Sequence, residues 1–212
     1  MGTSTIFDIV TSTVIAGLLL LMALRLNWQA VETNAIYQDN VNLQLGLVSL
    51  VEIVENDFRK IGYCKDYTQI TPPNIAIVAA DSNSIKFLTD IPSSPTDLGD
   101  GIVDTIQYYV GTTAINPNNP KERMLYRVVN GVPSGWTLGV TRFGLRYYTP
   151  LGDSMAFPIS DPREIYTIEV NVSLESPAPL TQIQYHDSTA ASQDFRVYWK
   201  QIRLASRNLR NR

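Results

Sequence analysis

The feature that most constrains this chain is an uncharged stretch from Ile9 to Leu24, closed by Asp8 on one side and Arg25 on the other. Its apolar residues do not fall on one stripe but lie all round a helix, and such a helix requires either lipid or a deep core. The stretch is short against the roughly 20 residues that cross a bilayer. Ile6, Phe7, Leu26 and Trp28 lengthen it, with Arg25 placed to snorkel and Trp28 to sit at the interface. A membrane helix is therefore expected over residues 1–28. A cleaved secretory signal and a buried core helix are the competing readings. Against the signal, no basic stretch precedes the apolar run and no small-x-small site follows it. No Lys or Arg stands before Asp8, so the positive-inside rule leaves the orientation open.

Helical spacing continues past the apolar run. Ile36, Leu43, Leu47, Leu50, Val54, Phe58 and Ile61 recur at steps of three, four or seven, which places them on one face. Polar residues, among them Glu32, Gln38, Asp39, Asn42, Glu52, Glu55 and Asn56, fill much of the rest. No proline occurs before Pro72, and Gly62 is the expected stop. The element should approach about 55 residues, or about 80 Å at 1.5 Å per residue. Residues 29–62 are read as an amphipathic continuation in which Leu43, Leu47, Leu50, Val54, Phe58 and Ile61 pack against a downstream domain, 63–212.

After Gly62 the period changes to two. Short β-branched and aromatic runs predict strands at 75–79, 84–88, 105–110, 123–129, 140–148, 165–174 and 195–201, the pattern of an antiparallel sheet or sandwich. Between them lie turn clusters at Asp81, Pro92, Asn116, Asn130 to Gly135, Pro150 and Pro177. In the sixth run Ile165, Thr167, Glu169, Asn171 and Ser173 share one face, and Tyr166, Ile168, Val170, Val172 and Leu174 share the other. Alternation likewise sends one of Tyr147 and Tyr148 inward. The fold class expected is α+β, with the helix covering the buried face of the strands.

Composition narrows the chemistry. Charged residues make up 17% of the chain, below the usual share of about 25%; the apolar run and the Thr/Ser/Asn/Pro-rich loops account for the difference. A net charge of −3 argues against a nucleic-acid partner. One cysteine, Cys64, gives no internal disulfide and no thiol-rich zinc site, and it is read as a small half-buried residue. The lone His186 lies in a polar loop, and no nucleophile elbow or phosphate loop is present, so neither catalysis nor a cofactor is expected. Glu164 and Glu169 fall on opposite faces and do not pair. Asp97, Asp100 and Asp104, with two glycines between them, are a candidate metal turn, whose simpler reading is an Asp/Gly turn. Arg196, Lys200, Arg203, Arg207, Arg210 and Arg212 form a basic C-terminal run that suits an anionic surface or an acidic subunit, or is a solvated end.

The segment Glu55 to Tyr63, with carboxylates and an arginine running into Gly62 and an aromatic, resembles the close of the long helix in minor pilins and pseudopilins of the W and J types. The runs beginning at Ile85, Asp104, Leu125, Gly139 and Ile165 resemble that family's successive strands, in order, and Trp199 to Leu209 resembles its closing strand and tail. The likeness spans nearly the whole chain. It implies a non-enzymatic, single-pass subunit of the cell membrane. Its helix would pack with other pilin-like subunits in a type IV filament or a type II secretion apparatus, with the head outside the cytoplasm. Members of the family usually carry a basic leader ending in Gly, cleaved so that Glu is the fifth mature residue. Here, if cleavage followed Gly2, Phe7 would be fifth and the acid, Asp8, one place late, so processing and N-terminal charge pairing are not expected in the usual form. Asp8 is expected at the headgroups, with a subunit's amine as the alternative partner, because a carboxylate in lipid costs several kcal/mol unless paired. Gly17 is an expected packing position between helices. The alternative is a membrane-tethered binding module whose β surface recognises carbohydrate or protein while the helix only anchors.

Overall fold

The computed structural model describes residues 2–94, 96–176 and 195–209. Its first element is one α-helix, α1, Thr3–Arg59. It ends slightly before the expected Gly62, because the backbone tightens into short-range bonds from Lys60 to Asp57, Ile61 to Phe58 and Tyr63 to Lys60. Such bonds satisfy carbonyls that a helix end would otherwise leave open. Gly62 then donates its N–H to the Leu88 carbonyl.

By its internal contacts the chain falls into two compact units, 1–42 and 43–212. In the first, every apolar side chain described between Ile6 and Val31 is exposed. The helix is long and apolar enough to cross a membrane. Hydroxyls within the apolar run are satisfied by the helix itself: Thr11 donates to the Phe7 carbonyl, and Ser12 and Thr13 donate to that of Ile9. No hydroxyl there needs water, which is the condition hydrocarbon imposes.

In the second unit the end of α1 packs on two antiparallel sheets. Five strands form the first sheet in sequential order: β1 Ile77–Ala80, β2 Ser84–Thr89, β3 Asp104–Ala114, β4 Arg123–Val129 and β5 Val132–Trp136. The second contains β6 Val140–Tyr148, β7 Thr167–Glu175 and β8 Val197–Leu204. The α+β class is as expected, and β4 and β6 have the expected bounds.

Three differences have local causes. β5 was expected to be turn residues. Asn130 and Gly131 alone form that turn, with φ of 50° and 85°, closing a two-residue hairpin from Val129 to Val132. Positive φ at both positions is what Asn-Gly supplies, and Pro133 is tolerated because β5 is a sheet edge. β1 starts later than expected because Pro73–Ala76 forms a 3-10 turn. β7 starts at Thr167 because Ile165 caps a second such turn, Pro162–Glu164. Ile165 is buried ahead of the strand, outside its alternation.

The core lies where α1 meets the sheets. Phe58 sets its ring edge-on to Phe87 and Tyr108, each at 5.6 Å. Tyr108 in turn stacks with Trp136 and with Phe143 of the second sheet. One aromatic chain thus joins α1, β2, β3, β5 and β6. Tyr147 adds a second tie between the sheets by donating to the carbonyls of Asp81, in the β1–β2 turn, and Ser84, at the start of β2.

Candidate functional site

The residues expected to face membrane or subunits are on the surface of α1. Phe7 and Trp28 are each 77% exposed; Asp8, Gly17 and Arg25 are exposed as well. Nothing lies within 4 Å of a methyl group built on Gly17. Leu43, Leu47, Leu50, Val54, Phe58 and Ile61 are all buried in the second unit. Burying one such side chain contributes roughly 1.5–3 kcal/mol, so this stripe is the main apolar seam between helix and sheets.

A polar clamp accompanies the seam. Asp57 accepts from Arg127 Nε at 2.6 Å and Nη2 at 3.2 Å, and its Oδ2 also accepts the Tyr108 hydroxyl at 2.5 Å. Burial alone would lower the Arg127 pKa, but the hydrogen bonds and charge of Asp57 outweigh it and the pKa ends raised. Burial, reinforced by the charge of Asp57, pushes the Tyr108 hydroxyl far up. Sequence reasoning missed this clamp; its only sequence signal was an acid on the apolar face of the helix, Asp57 beside Phe58.

The candidate metal turn is a hydrogen-bonded loop. Its hub is the buried Asp90, also missed, which accepts from the backbone N–H of Lys65, Asp100 and Gly101. Asp100 accepts from Ser93 and from the N–H of Ile102, and those bonds lower its pKa. Asp104 accepts from the Ile91 N–H and the Asn130 amide. Asp97 donates its backbone N–H to the Ser94 carbonyl. Among the described residues no three His, Cys, Asp or Glu side chains gather as a metal group. Cys64 is buried rather than half-buried beside Asp90. Burial leads the causes that raise its thiol pKa, so it is kept protonated.

The outer face of the second sheet is a shallow groove of about 500 Å³. Strand register organises it into three cross-strand rows. Arg142, Ser173 and Trp199 form the first. Gly144, Asn171 and Gln201 form the second, where the space over Gly144 admits the Arg142 side chain, its Nε 3.8 Å from a methyl built on the glycine. Arg146, Glu169 and Arg203 form the third. Glu169 is the buried centre of the polar network. Burial tends to raise its pKa, but hydrogen bonds from Tyr148, Asn171 and Gln201 prevail and hold it low, so it stays ionised. Arg203 stacks over the Tyr148 ring at 3.9 Å. Two of the six residues of the basic C-terminal run, Lys200 and Arg203, are in the edge strand β8, and Arg196 just precedes it. Arg207 lies in a 3-10 turn; Arg210, Arg212 and His186 lie outside the described residues.

These features define a class of protein, a long N-terminal helix whose final turns pack on an antiparallel two-sheet head. No family model matches the chain, and no curated protein matches it. Among solved structures, a type IV-like pilin from Thermus thermophilus is similar in fold, with 11% sequence identity, 79% of this chain and 98% of that one covered, and a TM-score of 0.48.

Proposed function

We propose that the chain is a non-enzymatic structural subunit, a pilin-like component that contributes to the assembly, priming or tip of a type IV filament or a type II secretion apparatus. The observation that carries this reading is the first part of α1, a helix whose described apolar side chains from Ile6 to Val31 are exposed and whose hydroxyls at Thr11, Ser12 and Thr13 need no water. Such a surface must meet lipid or other helices, since an exposed apolar area of that extent is not stable in water. Residues 1–28 then act as the membrane and assembly segment, 29–62 as its amphipathic continuation and 63–212 as an extracytoplasmic head. Assembly transfers the apolar helix from lipid to a bundle of like helices. Small residues let helix backbones approach closely in lipid, and the open surface at Gly17 supplies such a position. Asp8 sits at the headgroups until assembly.

The test is cross-linking in intact membranes through a Leu20→Cys substitution in a Cys64→Ser background. Adducts to other subunits that carry an apolar N-terminal helix are expected, and Gly17→Ile should reduce them while leaving the head folded. Recovery of the chain in the soluble fraction, or adducts unchanged by Gly17→Ile, would count against the reading. A second reading, a membrane-tethered binding module, is favoured by the groove on the second sheet.

A further inference from the structure

We infer that the groove on the outer face of the three-stranded sheet binds an acidic oligosaccharide, a chain of carboxylated pyranose units. The inference is independent of whether α1 assembles or only anchors.

Trp199 carries the first part of the argument. It stands on β8 at 67% exposure, in a strand position where a side chain either packs or serves. An exposed indole beside hydrogen-bonding groups offers an apolar platform to the C–H face of a sugar ring, and its N–H remains as a polar handle. Beside it the groups are held in place. Asn171 and Gln201 are both tied to buried Glu169, so their amides need little ordering when a ligand arrives, and that preorganisation favours binding. The groove volume of about 500 Å³ falls within the roughly 300–1,000 Å³ of small-molecule sites.

Charge decides which saccharide. The groove presents Arg142 and Arg146, with Arg203 at its edge stacked on Tyr148, against one acid, Glu169, whose oxygens are already occupied by Tyr148 and Asn171. Guanidinium groups suit carboxylates because their paired N–H donors match the two oxygens. Arg142 and Arg146 are four residues apart on one face of β6, with Arg142 Nε lying over Gly144 between them. A chain bearing repeated carboxylates can engage both, and the exposed indole beside them adds an apolar platform that a phosphate or sulfate ion does not use. A protein partner fits the face less well, because interface centres are apolar and poor in charge. Single-stranded nucleic acid needs successive aromatic platforms, and the three rows supply one, Trp199.

The experiment is titration calorimetry of the full chain in detergent micelles with a mannuronate hexamer, cellohexaose and a thymidine decanucleotide. Submillimolar binding of the uronate is expected, with cellohexaose at least about tenfold weaker. Trp199→Ala and Arg142→Ala should each weaken uronate binding by about tenfold or more, a loss of about 1.4 kcal/mol. Gln201→Glu replaces the amide that bonds Glu169 with a second carboxylate among the rows and should expel the uronate. Arg163→Ala, away from the groove, should change nothing. Unchanged melting temperatures would establish that the variants are folded. The inference is overturned if the uronate does not bind at millimolar concentration, or if all three groove variants bind it as the wild type does. It is also overturned if the oligonucleotide binds more tightly than the uronate, or if Trp199→Ala breaks subunit assembly while uronate affinity is unchanged.

Discussion

Asp57 in the last turn of α1 and Arg127 on β4, 70 residues apart in sequence, meet in a two-point ion pair beneath the aromatic core. The arrangement anchors the end of a helix to the middle of a sheet with directional bonds, where the apolar seam from Leu43 to Phe58 supplies area but no register. A buried pair adds little net stability over an apolar replacement, yet removal of one member strands the other.

Asp57→Ala should therefore destabilise the head by about 3 kcal/mol, near the lower end for a broken buried pair because Arg127 keeps some access to water. The double variant Asp57→Leu, Arg127→Leu should lose less than the sum of its single variants. Urea unfolding of the full chain in micelles, followed by tryptophan fluorescence, gives both numbers. Additive single losses would show that the two side chains act separately.

Gly99 lies so close to the Asp90 carboxylate that an added methyl would collide with it. Gly99→Ala should displace Asp90, loosen its hold on the amides of Lys65, Asp100 and Gly101, and cost about 1–3 kcal/mol, the range for a buried group left unsatisfied. Amide hydrogen exchange reports this directly. Protection at those three amides should fall in the variant, and unchanged protection would mean that the loop rests on other contacts.

Burial is the leading cause that raises both Tyr108 and Tyr147 far above the ordinary tyrosine value. The native state thus retains protons that an unfolded chain would release near pH 10. For a raised group, the stabilising contribution is complete below the unfolded pKa and declines as pH climbs past it. Of the 11 tyrosines, two should remain protonated in an ultraviolet titration above pH 10 until the head unfolds, and then titrate together with loss of structure. Smooth ionisation of all 11 before unfolding would contradict the enclosed positions of these two hydroxyls.

Much of the architecture could be read along the chain. The step from an all-round apolar helix to a seven-four-three stripe, and then to period two, needs only neighbours in sequence, because helix and strand periodicities are local backbone properties. The strands at 123–129 and 140–148 were legible for that reason. The hairpin at Asn130-Gly131 was also locally encoded, but its turn chemistry was read as a longer loop and β5 was lost with it.

What sequence alone determined is the order of environments: an apolar helical segment, an amphipathic one, and an antiparallel head with one buried face. What tertiary structure alone decided is which distant side chains meet. Asp57 found Arg127, Asp90 gathered amides from two separate loops, and Arg142, Ser173 and Trp199 fell into one row through the pairing of three strands. Alternation tells which face a residue takes, but the sliding of one strand against the next is fixed by packing of the whole core. That is why the groove, unlike the helix, could not be read from the chain.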